Sequence, residues 1–276
     1  MAVRPLRELA NEFGTDKQGA HSYADAYERH LGHLRDRELT LLEIGIGGYE
    51  DPARGGESLR MWKAFFPRGR IVGLDLHDKS GLAEDRIEIV QGDQSDAAFL
   101  AGLGDRFGPF DVVIDDGSHI NAHVIASFRA LFPFLKPDGI YAIEDLQTSY
   151  WERGYGGTSG PNRSGTSMSM LLSLADGLNY AELDVADYVP SAFDRGIVSL
   201  TFYHNLAFIQ RGRNDEPSNF LPDHPRPAQV YARPKATAID RQRPSAVRRI
   251  GQAARRTVRP FVPAGLRRRV RRGPRP

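Results

Sequence analysis

The sequence predicts an α/β fold on a mostly parallel seven-stranded sheet that closes with an antiparallel C-terminal hairpin, and three observations carry that expectation. The first is the stretch 110–151, FDVVIDDGSHINAHVIASFRALFPFLKPDGIYAIEDLQTSYW. Its apolar runs Val112-Val113-Ile114 and Ile140-Tyr141-Ala142-Ile143 flank a helical period at Val124, Phe128, Leu131 and Leu135, closed by Lys136-Pro137-Asp138-Gly139. That pattern reads as strand, crossover helix, strand, a unit that is parallel and right-handed. The second observation is the same rhythm upstream, with apolar runs at 39–46, 70–74 and 87–91 and helical periods at 59–66 and 97–103. The third is a pair of alternating runs, 197–202 and 206–210, around Tyr203-His204-Asn205, which reads as a β-hairpin.

Taken in order, residues 1–38 form a helical lead-in. Leu6, Leu9, Ala10 and Phe13 share one face before Gly14-Thr15-Asp16-Lys17 breaks the period, and a second helix covers 23–34. His21, Tyr23, Tyr27 and His30 admit two readings, a lid over a ligand or the ordinary contacts of an amphipathic helix. The strand at 39–46 (LTLLEIGI) runs into Gly45-Ile46-Gly47-Gly48. Glycine lets backbone approach a ligand closely, but the loop departs from the dinucleotide-binding G-x-G-x-x-G because Glu50 stands at the third glycine's place. A helix at 59–66 and a second strand at 70–74 follow, and the second strand ends in Asp75. An acid at that point commonly accepts hydrogen bonds from the ribose hydroxyls of a nucleoside cofactor. The third strand, 87–91, ends in Gly92-Asp93-Gln94-Ser95, which places Asp93 and Gln94 toward an adenine edge. Asp96 reads as the N-cap of a helix at 97–103. After the central unit, residues 147–166 are rich in Gly, Ser and aromatics and exceed a simple connection, which reads as a substrate wall or lid, with disorder as the competing explanation. A helix at 168–178 precedes the hairpin, and the catalytic domain spans 39–231.

Charge divides the chain unevenly. Residues 233–276 hold 15 Lys and Arg against one acid, Asp240; of the 37 bases and 35 acids overall, residues 1–232 therefore keep 22 and 34. An acidic body argues against nucleic acid as the substrate of the main domain. With no cysteine, disulfides, thiolate metal sites and a cysteine nucleophile are excluded. No run reaches the ~18 apolar residues of a membrane span and the N-terminus lacks a signal-peptide core, so the expected location is cytoplasmic. The tail, 232–276, reads either as a disordered extension or as a basic amphipathic helix in peripheral contact with an anionic membrane.

Both strands of the central unit end in carboxylate pairs, Asp115-Asp116 and Glu144-Asp145. In an open parallel sheet they emerge at the same carboxyl edge, where ligands of this architecture bind. Four acids crowded there repel unless a cation sits among them.

Six ordered motifs, FGTDKQGAHSY, LLEIGIGG, LDL, QGDQSD, IDDGSH and IEDLQTSYW, resemble the class I S-adenosylmethionine-dependent methyltransferases. Within that Rossmann-like fold they are similar to the metal-dependent sugar O-methyltransferases of macrolide tailoring and the related rhamnose O-methyltransferases. The resemblance covers roughly residues 12–211. It implies Asp116, Glu144 and Asp145 as Mg²⁺ ligands, His119 as the general base, and Thr15, Glu43, Gly45, Asp75, Asp93, Gln94 and Asp115 around S-adenosylmethionine. It also implies a small-molecule or glycolipid sugar acceptor and a homo-oligomer. The resemblance begins near residue 12, so the large N-terminal auxiliary domain that precedes the catalytic domain in the macrolide enzymes is not expected within these 276 residues.

The chemistry agrees with the resemblance. A sugar hydroxyl is a poor nucleophile at neutral pH, and Mg²⁺ both acidifies and positions it; an all-oxygen, carboxylate-rich site suits that ion. His119, three residues past Asp116, stands where it can accept the proton. His123, one turn onward, reads as structural. Since the metal site asks only for neighbouring hydroxyls, a non-sugar vicinal diol or a catechol-type acceptor is the alternative substrate class. A non-catalytic scaffold whose tail binds membrane or nucleic acid is the alternative from another class. An NAD-dependent reductase is disfavoured by the missing third glycine.

Overall fold

The computed structural model describes residues 4–218 except 162, 184 and 186. The boundary expected at 231 and the tail beyond it lie outside the described residues. The lead-in consists of α1 (Leu6–Phe13) and α2 (Ala24–Leu31), followed by β1 (Leu39–Ile44), α3 (Glu57–Phe65), β2 (Gly69–Asp75) and β3 (Ile87–Gln91). Then come α4 (Ala97–Phe107), β4 (Phe110–Asp115), α5 (Asn121–Leu131), β5 (Leu135–Ile143), α6 (Ser167–Gly177), α7 (Ala192–Gly196), β6 (Ile197–Tyr203) and β7 (Leu206–Arg211). The sheet order is β3-β2-β1-β4-β5-β7-β6. The first five strands run parallel, and β7 inserts antiparallel between β5 and β6. The order reverses between β1 and β4, which places the crevice of this architecture at their carboxyl ends.

Side chains alternate across a pleated strand, and here the alternation sorts the core into two layers. Leu41, Val112, Ile114, Ile140 and Ala142 face the layer containing α1, α2 and α3, with Trp62, Phe65 and Tyr27 fully buried among them. Leu42, Ile44, Val113, Tyr141 and Ile143 face α4, α5 and α6. The lead-in thus packs into one of the two core layers through Leu6, Leu9, Tyr27 and Leu31. It ends its first helix at Gly14, whose φ of 72° permits the left-handed turn.

Two local features differ from the sequence expectation. Lys136-Pro137-Asp138-Gly139 lies inside β5 rather than closing α5, because Pro133 belongs to a 3-10 turn at Phe132–Phe134 that stops the helix earlier. Pro137 has no N–H for the ladder, and the pairing slips there, from Phe110 opposite Leu135 to Val112 opposite Ile140. The short helix α7 was not anticipated; Ser191 and Asp194 form its capping box. The long segment after β5 is tied back to the sheet edge by the buried Asn121. Its amide donates to the carbonyls of Thr148 (3.2 Å) and Tyr155 (2.9 Å), and its oxygen accepts from the backbone N–H of Ser167 (2.7 Å). Among the described residues no helix is long and apolar enough to cross a membrane.

Candidate active site

Strand alternation splits the two acidic pairs. Asp115 continues the face of Val113 and is sealed among α4 and α5, where it accepts hydrogen bonds from Gln94 Nε2 (3.0 Å), the Ser127 hydroxyl and Tyr141 OH (3.4 Å). Burial raises its pKa, against the opposing pull of Ser127 and Gln94. Glu43, Asp116 and Glu144 instead share the parity of Ile114 and Ala142 and converge on the opposite face. Their ligating oxygens lie within 4.8 Å of one another.

A cation sits among these three, and it belongs to the chain. Lys17, with no exposed surface, places Nζ 2.6 Å from Asp116 Oδ2, 2.7 Å from Glu144 Oε1 and 3.1 Å from Glu43 Oε1. Burial pulls the lysine pKa down, but Asp116, Glu144 and Glu43 together raise it well above its ordinary value. Glu144 also accepts from Tyr27 OH at 2.5 Å and Glu43 from Ser58 Oγ at 2.8 Å. Both acids are pushed upward in pKa by burial. Removing one partner from a buried ion pair costs on the order of 3–5 kcal/mol, so this ammonium is integral to the sheet edge.

A second cluster lies outward of the first and shares Asp116 with it. Asp116, His119 and Asp145 bring one ligand atom each within 4.8 Å of the others, and all three are partly exposed. His119 Nε2 is 3.7 Å from Asp145 Oδ2, and His21 Nε2 is 3.7 Å from Asp145 Oδ1. Tyr23 OH donates to the same Oδ1 at 2.9 Å, and its ring stacks on His21. Two carboxylates open to solvent, with an imidazole beside them, fit a hard divalent cation that keeps free coordination positions. Of the residues that motif resemblance implied as metal ligands, Asp116 and Asp145 meet here, while Glu144 stands behind them against Lys17 and Tyr27.

The residues expected around the cofactor are dispersed along the same edge. Gly45 has φ 81°, and a Cβ there would meet the Asp116 carbonyl at 2.2 Å; the glycine is required by the close approach of the β1 and β4 loops. Asp75, half-buried at the end of β2, accepts from the backbone N–H groups of Ile46 (3.2 Å) and His77 (2.9 Å). It thereby joins the glycine loop to the β2 edge. Asp93 is exposed and accepts from Ser95 N. Gln94 is buried; besides its bond to Asp115 it accepts from Ser118 N at 2.6 Å, linking the β3 and β4 loops. Thr15 is buried, and its hydroxyl accepts from Lys17 N at 3.4 Å. Asp96 caps α4 through Ala98 N and Phe99 N, and His123 pairs with Ser118 Oγ at 3.0 Å.

No family model matches the chain. It is 52% identical over 214 residues to mycinamicin VI 2''-O-methyltransferase of Micromonospora griseorubida, covering 76% of this chain and 53% of that protein. It is 50% identical over 213 residues to 8-demethyl-8-alpha-L-rhamnosyl tetracenomycin-C 2'-O-methyltransferase of Streptomyces olivaceus, covering 77% and 56%. Among solved structures, MycE methyltransferase in complex with Mg, SAH and mycinamycin VI superposes with a TM-score of 0.77 at 51% identity, over 81% of this chain and 57% of that one. The chain belongs to the class I S-adenosylmethionine-dependent methyltransferases. It spans about half the length of the curated relatives it matches.

Among the residues at this edge of the methyltransferase, the sequence reads Tyr23 and Tyr27 as a lid or as ordinary helix contacts and gives Lys17 no place in the site. The signal for Lys17 and Tyr23 lay in FGTDKQGAHSY, a polar break between two short amphipathic helices, and Tyr27 follows one turn into the second. What concealed it is distance along the chain: 127 residues separate Lys17 from Glu144, and no periodicity links them.

Proposed function

We propose that this methyltransferase transfers the methyl group of S-adenosylmethionine, with Mg²⁺, to a sugar hydroxyl of a glycosylated natural product or glycolipid. The observation that carries the reading is the solvent-open group Asp116, His119 and Asp145 at the switch point. It lies in a chain about half identical to enzymes named for sugar O-methylation. Asp116, Glu144 and Asp145 hold the ion in this reading. When bound, Mg²⁺ supplies Lewis acidity toward an acceptor hydroxyl, and S-adenosylmethionine supplies an electrophilic methyl.

The chain's own groups do the rest. His119 accepts the acceptor's proton at Nε2, the nitrogen that faces Asp145 at 3.7 Å, and Asp145 stabilises the imidazolium that forms. Tyr23 and Tyr27 fix Asp145 and Glu144 from the lead-in side. Asp75, with Leu76 60% exposed beside it, presents a carboxylate to the cofactor ribose and an apolar surface to its base. Gly45, Asp93, Gln94, Glu43, Asp115 and Thr15 shape the loops around that cofactor.

The acceptor's apolar body fits a cleft of about 510 Å³ lined by Leu146, Tyr150, Met168, Leu172, Phe202 and Tyr203, with His204 and Asn205. The cleft begins one residue past Asp145, so a molecule with hydroxyls at one end and an apolar frame at the other spans both. The same aromatic lining favours a second reading, a flat catechol-type acceptor. A panel of rhamnosylated acceptors, their aglycones and catechols, incubated with S-adenosylmethionine and Mg²⁺ and read by mass, separates the two. Methylation of the aglycones or catechols in preference to the rhamnosides would reject the sugar reading.

A further inference from the structure

We propose that the ammonium of Lys17 stands in the place of a second metal ion, so that a nest with carboxylates enough for two divalent cations takes one. The inference rests on the metal-dependent reading above and goes beyond it. Two triads of possible ligands occupy the carboxyl edge, Glu43, Asp116 and Glu144 on the inner side and Asp116, His119 and Asp145 on the outer. Asp116 belongs to both. Two ions sharing a bridging carboxylate in this way make the binuclear centres of many hydrolytic and phosphoryl-transfer enzymes. Here the inner position is filled by Nζ of Lys17, in contact with all three inner carboxylates at 2.6, 2.7 and 3.1 Å.

The ammonium is held in place by its own backbone. The Lys17 carbonyl accepts from Tyr23 N at 3.0 Å and Ala24 N at 3.1 Å, and Lys17 N donates to Thr15 Oγ1 at 3.4 Å. These bonds fix the Cα of Lys17 at the start of α2, the three carboxylates fix its Nζ, and a lysine carries its charge on a point that three oxygens can surround, as they would an ion. The consequence is charge balance. Four carboxylates, Glu43, Asp116, Glu144 and Asp145, face one ammonium and one divalent ion, leaving a single negative charge beside a cationic sulfonium donor, where two divalent ions would leave none. Lys17 is thus a positioning residue: it fixes the oxygens of Asp116 and Glu144 and restricts the metal to the outer side, where Asp116, Glu144 and Asp145 hold it and His119 stays free for the proton.

The test is a count of bound Mn²⁺ on the full-length chain, by calorimetry and by the electron paramagnetic resonance signal of the free ion. Wild type is expected to bind one equivalent and Lys17→Ala two. Methylammonium should displace the second equivalent from Lys17→Ala and leave the first. Two equivalents in wild type, or one in a folded Lys17→Ala, would overturn the proposal. Should Lys17→Ala fail to fold, Lys17→Ser, which also empties the inner position, is held to the same second equivalent, and the wild-type count stands independently of both. A wild type that binds no Mn²⁺ would instead overturn the metal-dependent reading itself, so the two failures are distinct.

Discussion

His119 and Asp145 meet across the carboxyl edge with Nε2 3.7 Å from Oδ2, and both hold left-handed backbone, at φ 55° and 53°. For a residue with a Cβ that conformation costs ~1–2 kcal/mol, and strain of this kind concentrates where geometry serves a site. The pair thus aims an imidazole at a carboxylate from two different loops. His119→Ala is expected to lower kcat by ~10² to 10⁴ with a smaller change in KM. Steady-state kinetics check it, and an unchanged kcat would make His119 a loop residue only.

Asp116 and Asp145 are the acids shared with that histidine in the outer cluster. Asp145→Asn removes charge but keeps the size and an acceptor for Tyr23 OH, so folding should survive. Mn²⁺ affinity should fall by at least tenfold, about 1.4 kcal/mol, with S-adenosylmethionine affinity close to wild type. Calorimetry with each ligand separately reads both, and retained Mn²⁺ affinity would remove Asp145 from the ligand set.

The Asp75 carboxylate already receives Ile46 N and His77 N, and its remaining acceptor capacity is what a ribose would engage. Asp75→Ala is expected to weaken S-adenosylmethionine binding by ~1–3 kcal/mol. Wild-type affinity in a calorimetric titration would reject the ribose assignment.

Gly45→Ala forces a Cβ to 2.2 Å from the Asp116 carbonyl at φ 81°. The left-handed penalty alone is ~1–2 kcal/mol, and the overlap adds to it by pushing Asp116 away from Lys17. Both Tm and Mn²⁺ affinity should drop together. A variant that loses only cofactor affinity would show that the glycine serves the ligand instead of the loop contact.

Local signals made the fold legible. Each parallel strand is a short apolar run ending in Gly or an acid, and the register follows from period two, which is also why the hairpin could be read from its alternation. Motif resemblance brought Asp116, His119 and Asp145 to one edge, as the structure does. What the sequence could not express is the pleat's effect on neighbours: Asp115 and Asp116 are adjacent in the chain yet face opposite core layers, one with Gln94 and Ser127, the other with Lys17. Nor could it express that the cation needed among the acids is supplied by a lysine 99 residues from Asp116. Gln94, read as facing an adenine, has its amide engaged between two loops, a tertiary pairing that no local pattern reports.

Metal-dependent methyl transfer beside Asp116, His119 and Asp145 is decided by a single-turnover reaction. The protein is stripped with chelator, loaded with S-adenosylmethionine and a rhamnosylated acceptor, and read by mass before and after Mg²⁺ is returned. No transfer is expected in chelator, and one added methyl on the sugar once Mg²⁺ is present. Full transfer in excess chelator would contradict it.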